Sequence, residues 1–389
     1  MTPTKSQGDG VAGSAEAKTG TAAIQGFEQA ITDEAAAKSW RPVSDRKIRV
    51  GIAGYGVCGF GAAFHFQDHP NVTVAAVADL DPDKCAELAK KCRCETMYPS
   101  CEDLIADDSL EAIFVATDAP SHARLAIASL NAGKHVASAV PAVFGSLEDA
   151  DLLFDAVKAS DRKYMMFETS YFHNDLYCMR EMYRAGDLGK VIYSEGEYWH
   201  YFGTPLDAHE GWRTGLPPQW YPTHSNAYYV GVTGGSFTEV SCMGMRSTAE
   251  HLQAENNQFG NPFGTEIALF RTSEGGMARM AVSWDTPGVG GERGRIRTEK
   301  GTFYGEFQSG KKDAMSPAIA RPPLPPGVVA GGHGGSHGYL MSEFIEAILL
   351  NRKPLVDVAQ SLNMTVSGIV AHQSALKDGE LMNIPQYTL

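Results

Sequence analysis

Three glycines in the segment VGIAGYGVCGFG have the spacing of a dinucleotide-binding loop. Gly54, Gly56 and Gly59 form a G-x-G-x-x-G motif that directly follows a short apolar run. In such a motif the first glycine makes a tight turn, the second admits the backbone to a pyrophosphate, and the third lets a helix pack on the strand. We expect a helix to begin in this motif and to attract phosphates through its free N–H groups. The predicted cofactor contacts here are Gly54, Gly56, Val57, Cys58 and Gly59.

An acidic residue at the end of the next apolar run fits the same site. Asp79 lies twenty residues after Gly59, where a carboxylate hydrogen-bonds the ribose of NAD and repels the 2′-phosphate of NADP. The alternative is that Asp79 only caps a helix beginning at Pro82. Because the whole unit is intact, we favour the cofactor interpretation, and NAD is the predicted cofactor.

Two further residues follow a later strand. Thr117 and His122 are expected beside the nucleotide, because ligands of parallel sheets bind at the carboxyl ends of the strands. For His122, a place in the first turn of an exposed helix is an equal alternative.

The elements that must position these residues alternate regularly. Short apolar runs, separated mostly by helical segments, are IRVGIAG, VTVAAVADL, AIFVAT, KHVASAV and KYMMFET. This alternation is typical of βαβ units and a parallel sheet. Beyond residue 168 it gives way to long strand-like runs, two of them joined by the hairpin signal Glu274-Gly275-Gly276. The predicted fold class is α/β, with an N-terminal Rossmann domain and a C-terminal α/β domain containing a large, mostly antiparallel open sheet.

The predicted domains follow these changes of pattern. Residues 1–45 are expected to be a partly disordered N-terminal arm, with a short helix near 24–40. Residues 46–168 would form the NAD-binding Rossmann domain. Residues 169–389 would form a domain for substrate binding and oligomerisation, whose C-terminal helices pack back on the Rossmann domain.

Bulk composition narrows the class of partner. The 389 residues are too many for the usual single core, and the formal net charge of −13 argues against nucleic acid or an anionic membrane as main partner. The chain has no apolar run of transmembrane length, and its N-terminus has no signal-peptide core, so we expect a cytoplasmic protein. The seven cysteines are expected to be reduced thiols, and no metal is predicted.

From Lys47 to the C-terminus the chain resembles the Gfo/Idh/MocA oxidoreductases, the family of glucose–fructose oxidoreductase and inositol dehydrogenase. The resemblance rests on GIAGYGVCG, ATDAPSHARLAIASLNAGKHV and HGGSHGYLMSEFIEAILLNRKPLVDVAQ. It implies a Rossmann domain, a second α/β domain with an open sheet, and hydride transfer between NAD(P) and a sugar or polyol. It also implies a dimer or tetramer formed through that sheet.

Two catalytic positions of this family differ here. Most members carry Glu-Lys-Pro where this chain has Ala139-Val140-Pro141, and valine cannot donate, accept or carry charge. Pro141 is still expected beside the cofactor. Many members also carry an Asp four residues before a catalytic His, and alignment places Trp220 and His224 there.

A sub-branch of the family, the NAD-dependent α-N-acetylgalactosaminidases, is similar at these positions. It reads Glu-Val-Pro-Ala beside residues 139–142 and shares the segment Tyr221-Pro222-Thr223-His224, while its tyrosine aligns with Phe172, next to Tyr171. Its members oxidise a sugar at carbon 3, eliminate the glycosidic group, add water and return the hydride. The resemblance implies His224 as the base, since histidine titrates near neutral pH. Tyr171 and His173 are further catalytic candidates at the carboxyl end of the strand KYMMFETS.

Candidates for substrate binding come from the second half of the chain. The segment Glu197–Phe202 alternates aromatic and polar groups, with Trp199 on one face and Tyr198 and His200 on the other. Aromatic faces stack on sugars, although they more often fill cores or interfaces. Arg213 could bind a polar or anionic substituent, and the glycine-rich loop before residue 338 could close over the site. The predicted substrate contacts are Trp199, Arg213, Tyr221 and His337.

Three functions remain open at this point. The first is hydride transfer between bound NAD and a hydroxyl of a sugar or sugar derivative, at carbon 3, with His224 as base. The second is redox-neutral, NAD-dependent glycoside hydrolysis. The third, motivated by the missing lysine and aspartate, is NAD binding without catalysis. The expected partners are a small sugar or glycoside and further copies of the chain.

Overall fold

The computed structural model describes residues 40–206, 208–308 and 319–389, which form two sheets with helices packed on them. The predicted N-terminal arm and its helix therefore fall almost wholly outside the described residues. Two of the apolar runs that the sequence analysis assigned to the first domain pair at the centre of the first sheet, where residues 50–53 lie beside 112–115.

The first sheet is parallel, with the strand order β3-β2-β1-β4-β5-β6. Its central strands are mostly buried and apolar, as the continuous apolar runs predicted for a sheet that helices cover on both faces. The switch in strand order between β1 and β4 opens a crevice at the carboxyl edge. The strands are β1 (Ile48–Ala53), β2 (Val72–Ala78), β3 (Met97–Tyr98), β4 (Ala112–Val115), β5 (His135–Ser138) and β6 (Tyr164–Met166). The helices are α1 (Pro82–Cys92), α2 (Cys101–Ile105), α3 (His122–Asn131) and α4 (Leu147–Ala159).

The segment after β1 departs from the prediction. In place of the α-helix expected from the glycine motif, it forms a 3-10 helix at Val57–Ala62 and a further 3-10 turn at Phe66–Asp68. Gly59 has φ 81° and His65 has φ 57°, both in left-handed backbone that a right-handed α-helix cannot contain. The expected dipole of a long helix at the phosphates is therefore replaced by a tight loop.

The second sheet is mostly antiparallel, as predicted, in the order β13-β12-β11-β7-β10-β9-β8-β14. Only the pairing of β7 with β10 is parallel among its described strands. The Glu274-Gly275-Gly276 hairpin is confirmed by the antiparallel pairing of Met277 with Arg271. The strands are β7 (Val191–Trp199), β8 (Phe237–Arg246), β9 (Phe263–Thr272), β10 (Met277–Ser283), β11 (Gly291–Thr298), β12 (Thr302–Tyr304), β13 (Glu306–Gln308) and β14 (Met382–Asn383).

In the described part of the chain, four α-helices follow the parallel sheet: α5 (Asn174–Arg184), α6 (Thr223–Thr233), α7 (His337–Leu349) and α8 (Val358–Ala375). Of these, α6 and α8 cover one face of the second sheet. Helix α6 packs on β7, whereas α8 packs on β8 and also reaches α4 and β6 of the parallel sheet. In α7, the Phe344 ring contacts Phe167 just beyond β6. These contacts hold the two sheets together around the crevice.

Two further observations concern expectations from composition. Among the residues that the structure describes, no helix is long and apolar enough to cross a membrane. Within the same residues Cys85, Cys92, Cys94, Cys101, Cys178 and Cys242 form no disulfide.

Candidate active site

A cavity of about 740 Å³ starts at the carboxyl edge of the parallel sheet and extends to side chains of the second half of the chain. One end is bordered by the glycine motif and Asp79, which we call the nucleotide end. The other is bordered by Tyr198, Tyr221, His224 and His333, which we call the histidine end. Both ends belong to one continuous space of a size typical for ligand sites.

At the nucleotide end, backbone lies close to the cavity. Gly54 has φ 95°, and a Cβ there would lie 2.5 Å from the Ala116 carbonyl oxygen, so only glycine fits. Asp79 accepts a hydrogen bond from the Tyr55 backbone N–H at 2.7 Å. The cap of helix α1 is Asp81 instead, which accepts from the Asp83 N–H at 2.9 Å. Asp81, and not Asp79, is therefore the cap of this helix.

The other predicted cofactor residues divide into two groups. Gly56, Val57, Thr117 and His122 border the cavity together with Gly54 and Asp79. Gly59 lies instead against the Lys91 ammonium, and the side chain of Cys58 is outside the described residues. Pro141 is not in the cavity lining, but the residue before it, Val140, is. His122 is itself buried, and its Nδ1 lies 2.8 Å from the Pro141 carbonyl oxygen, which ties the two predicted residues together.

These residues fit NAD. The glycine loop leaves room for a pyrophosphate, and the Asp79 carboxylate stands where a ribose would be bound. The residues that would hold the dinucleotide are those of the glycine loop, Asp79 and Thr117.

At the histidine end, His224 is held by two carboxylates. Its Nδ1 lies 2.8 Å from Oε1 of Glu168 and 3.8 Å from Oε1 of Glu292. Glu168 follows β6, and its Oε1 also accepts the Ser170 backbone N–H at 2.8 Å. His224 lies in the first turn of α6 and Glu292 on β11, so three separate segments meet here. This arrangement fixes the imidazole and leaves Nε2 for the cavity.

The charges of this cluster decide its protonation. Burial, the largest single influence, lowers the pKa of His224, but the charges of Glu168 and Glu292 and the hydrogen bond of Glu168 together outweigh it and raise the pKa to about 9. Burial likewise opposes ionisation of Glu168, yet the His224 charge brings the pKa of Glu168 below its ordinary value. In the absence of substrate the pair is therefore an imidazolium–carboxylate ion pair at neutral pH.

Glu168, His224 and Glu292 bring ligand-type atoms within 4.8 Å of one another, as a metal site would. No spacing in the sequence pointed to such a cluster. Nδ1 of His224 already forms ion-pair contacts with both carboxylates, at 2.8 Å from Glu168 and 3.8 Å from Glu292.

Neutral aromatic groups surround His224. The Tyr198 ring packs edge-on against it at 4.6 Å between centroids, and the Tyr198 hydroxyl lies 2.9 Å from Nδ1 of His200. Burial raises the pKa of Tyr198 and of Tyr221 and lowers that of His200 to about 3, so all three stay uncharged at neutral pH. Arg213 lies against Tyr221 and Trp212 and also borders the cavity. It is a fixed positive charge beside the imidazolium.

Several predicted residues lie elsewhere. Trp199 faces away from the cavity and lines a separate shallow pocket with Glu197 and Arg293. The alternation along β7 was predicted correctly, but Tyr198 and His200 of the opposite face are the ones that border the cavity. Strand periodicity separates two faces without telling which one meets a ligand.

The two remaining catalytic candidates, Tyr171 and His173, also lie outside the cavity lining. Tyr171 is fully buried, with the Arg180 guanidinium 3.8 Å from its ring centroid. His173 has Nε2 at 3.3 Å from Oε2 of Glu292 and so lies behind the carboxylates. Tyr171 and His173 are not in the cavity lining, and neither is His337. His333, four residues before His337, does border the cavity.

Sequence reasoning missed Glu168 and Glu292, and of the two histidines His333 and His337 it chose His337 as the substrate contact, whereas His333 borders the cavity. Glu168 carried a usable signal, because a carboxylate directly after the last parallel strand lies at the edge where ligands bind. Glu292 carried no such sequence signal, because only the pairing of β11 with β7 brings it under α6.

Comparisons with known proteins agree with this geometry. Residues 48–168 match the model of a family described as "Oxidoreductase family, NAD-binding Rossmann fold". A glycosyl hydrolase family 109 protein of Shewanella amazonensis is 28% identical over 324 residues, covering 75% of this chain and 70% of that protein. One of Streptomyces niveus is 26% identical over 392 residues, covering 88% and 77%. Levoglucosan dehydrogenase, solved with NADH and levoglucosan, has the same fold, with a TM-score of 0.74 at 18% identity over 88% of this chain and 100% of that one.

The parallel sheet, its glycine loop and the family match define an NAD-binding oxidoreductase. The resemblance seen in the sequence is confirmed: residues 48–168 match the Gfo/Idh/MocA family model, and the chain is similar over most of its length to glycosyl hydrolase family 109 proteins.

Proposed function

We propose that the protein transfers hydride between bound NAD and a secondary hydroxyl of a sugar or sugar derivative, at carbon 3, with His224 moving the hydroxyl proton. The observation that carries this proposal is the Glu168–His224 pair at the end of the cavity that begins at the glycine loop. An alcohol loses hydride only when a base takes its proton, and the cavity brings such a base to the cofactor.

When bound, NAD supplies the hydride acceptor in one direction and the donor in the other. Glu168 holds the Nδ1–H of His224, so Nε2 is the atom that accepts the hydroxyl proton in oxidation and returns it in reduction. The imidazolium formed in oxidation is stabilised by both carboxylates. Val140 contributes an apolar wall in the place where related enzymes have lysine, and His224 takes over the proton transfer.

A sugar fits the histidine end by its chemistry. Aromatic rings of Tyr198, Tyr221 and Trp212 border the cavity, and such rings stack on the C–H faces of sugars. Arg213 and His200 add polar groups for hydroxyls or for an anionic substituent. The names of the relatives, glycosyl hydrolases and levoglucosan dehydrogenase, point to the same substrate class.

The test uses purified protein loaded with NAD and mixed with a panel of monosaccharides and nitrophenyl glycosides. We expect NADH absorbance to appear with at least one sugar, and at least ~100-fold more slowly in His224→Asn at equal NAD occupancy. Protein that holds NAD, forms no NADH with any sugar and releases no nitrophenol from any glycoside would instead be a non-catalytic NAD-binding protein, the third function considered from the sequence.

A second candidate function is redox-neutral glycoside cleavage. It is favoured by the apolar Val140 in the cavity wall and by relatives named glycosyl hydrolase family 109 proteins. In that case nitrophenyl glycosides release nitrophenol over many turnovers with no added NAD and no accumulating NADH. Stoichiometric NADH without release assigns the protein to the simple dehydrogenases.

We also propose that the open face of the second sheet binds a second copy of the chain. Its exposed side chains are unusually apolar for a solvated sheet. Light scattering should show a dimer or tetramer that Leu269→Glu dissociates, whereas the control Leu152→Glu on α4, on a different surface, leaves it intact. A wild-type monomer would contradict the proposal. The exposed apolar side chains are Met243, Met245, Ile267, Leu269 and Met277.

A further inference from the structure

Arg213 lies at the edge of the cavity in a turn that is fastened to its surroundings. Asn261 donates a hydrogen bond from Nδ2 to the Gly215 carbonyl oxygen at 3.1 Å, which anchors the end of the turn. The guanidinium carbon of Arg213 lies 4.3 Å from the ring centroid of Trp212 and 5.2 Å from that of Tyr221. Both rings are buried. The guanidinium is therefore in place before a ligand arrives, which reduces the entropy cost of binding.

The charge of Arg213 has no carboxylate partner among the residues that the structure describes. Its side chain donates a long hydrogen bond from Nη2 to the Tyr221 hydroxyl, at 3.4 Å, and most of its N–H donors are left for water or a ligand. Arg124, which borders the same cavity, differs because it pairs with Glu102. Arg213 thus presents an unpaired cation to the cavity.

The surface of the cavity is cationic at the histidine end. Glu168 and Glu292, which balance His224, are buried beside the imidazole and are not in the cavity lining. Burial and the charge of Arg213 both lower the pKa of His224 and so oppose the two carboxylates. After burial, Arg213 is also the next cause that lowers the pKa of His200 to about 3. A cleft lined by charges of one sign attracts a ligand of the opposite sign.

Arg213 and His224 are close enough for one monosaccharide to contact both. The Tyr221 ring lies between them, with its centroid 5.6 Å from that of His224 and 5.2 Å from the guanidinium carbon of Arg213. The rings of Tyr198 and Trp212 also border the cavity and can pack on the C–H face of a sugar. A sugar could therefore offer its reacting hydroxyl to His224 and a substituent elsewhere on the ring to Arg213.

We propose that the substrate is a sugar with an anionic substituent, a carboxylate, sulfate or phosphate, which Arg213 binds while the reacting hydroxyl contacts His224. The inference rests on the proposed function and narrows its substrate from sugars in general to acidic sugars, such as uronic acids and their glycosides. A planar guanidinium can bind two oxygens of such a group through parallel hydrogen bonds. A neutral hydroxyl also accepts from Arg213, but without the added attraction of opposite charges.

The experiment compares matched neutral and acidic sugars on NAD-loaded protein. Glucose is paired with glucuronate and galactose with galacturonate, each as both anomers of the methyl and nitrophenyl glycosides, and the 6-sulfates and 6-phosphates are added. NADH absorbance and nitrophenol release are both recorded. We expect kcat/KM to be at least ~10-fold higher for the acidic member of a pair, because a charge-assisted hydrogen bond is stronger than a neutral one. The acidic sugar with the highest kcat/KM identifies the substituent.

Substitution of Arg213 tests whether its charge causes this preference. Arg213→Met keeps an aliphatic stem against Trp212, and the ratio of kcat/KM for acidic over neutral sugar should fall at least ~10-fold. Arg213→Lys keeps the charge without the planar fork and should give an intermediate ratio. The control Arg184→Met, at the end of α5 and outside the cavity lining, should leave the ratio unchanged. In wild-type protein the ratio should also fall as NaCl is added, because salt screens the attraction.

The contrary results are distinct from one another. A wild-type ratio of one or below overturns this inference alone, and so does Arg213→Met with the wild-type ratio. Equal losses for acidic and neutral sugars in Arg213→Met also overturn it, because Arg213 would then bind a group that all sugars share. A raised Kd for NAD in Arg213→Met, with the ratio unchanged, would assign the guanidinium to the cofactor phosphates. Wild-type protein that yields neither NADH nor nitrophenol with any sugar overturns the proposed function as well.

Discussion

The two ends of the cavity are built in different ways. The nucleotide end is built around one short stretch of chain, Gly54 to Asp79, with Thr117 and His122 added from a later segment, and it combines close backbone with partly exposed side chains such as Asp79. The histidine end gathers buried ionisable groups from the segments around residues 168, 198, 224, 292 and 333. The nucleotide end is suited to bind a polar, anionic cofactor. The histidine end is suited to control the protonation of its side chains, because burial magnifies the effect of each neighbouring charge.

This difference predicts that the ends can be damaged separately. Removing a group at the histidine end should change rate with little effect on cofactor affinity, and removing one at the nucleotide end should do the reverse. A variant that changes both together would show that the two ends are coupled.

The largest expected effect is that of His224→Asn. Loss of the proton acceptor should lower kcat for sugar oxidation by about 10²- to 10⁴-fold, while the Kd for NAD, measured by calorimetry, stays within about threefold of wild type. A comparable loss of NAD affinity would contradict the separation of the two ends.

The Glu168–His224 pair should determine how kcat/KM for sugar oxidation depends on pH. His224 must be neutral to accept a proton, and its pKa is about 9, so at pH 7 only about one molecule in a hundred is ready. The logarithm of kcat/KM for oxidation should rise with unit slope from pH 7 and level off near pH 9. Ketone reduction, which needs the imidazolium, should stay flat over this range and fall above it.

Glu168→Gln tests the cause of that profile. It removes the nearest negative charge while burial, which favours the neutral ring, remains, so the midpoint should move to lower pH by about one unit or more. The control Asp83→Asn, an exposed position on α1, should leave the midpoint in place. A Glu168→Gln profile identical to wild type would show that Glu168 does not set the pKa of His224.

A moderate effect is expected at the nucleotide end. Asp79→Ala removes a charged hydrogen-bond acceptor for the ribose, so the Kd for NAD should rise about 10- to 100-fold, and the preference over NADP should shrink. The rate of hydride transfer at saturating NAD should stay near wild type. An unchanged Kd would return Asp79 to a purely structural role.

The smallest effect is expected from Tyr171→Phe. The Tyr171 hydroxyl is buried and has no hydrogen-bond partner among the described residues, so its removal should leave kcat within about twofold and raise the free energy of unfolding by about 1 kcal/mol. Chemical denaturation measures the second quantity. A large loss of kcat would restore Tyr171 as a catalytic residue.

The elements that were predictable from sequence are those with local signals. The parallel strands followed from apolar runs, and the glycine loop followed from its spacing, because one stretch of chain builds each of them. The 3-10 segment after β1 was not predictable, since it depends on left-handed backbone at His65 that composition does not reveal.

At the histidine end, a local motif pointed to His224, but the sequence did not show which residues surround it in the fold. His224 was found through a four-residue match, but its partners Glu168 and Glu292 join it only after two sheets have packed. Within the glycine-rich loop, His333 and His337 are alike in sequence, and only the hydrogen bond to Ala63 shows that His337 supports and His333 faces the cavity.

The central claim is that Nε2 of His224 moves the hydroxyl proton while hydride passes to or from NAD. A crystal structure with NADH and a bound sugar tests it most directly. The account predicts that Nε2 lies within about 2.6–3.2 Å of a sugar hydroxyl whose carbon faces the nicotinamide. A sugar whose reacting hydroxyl contacts another side chain, with His224 turned away from it, would contradict the account.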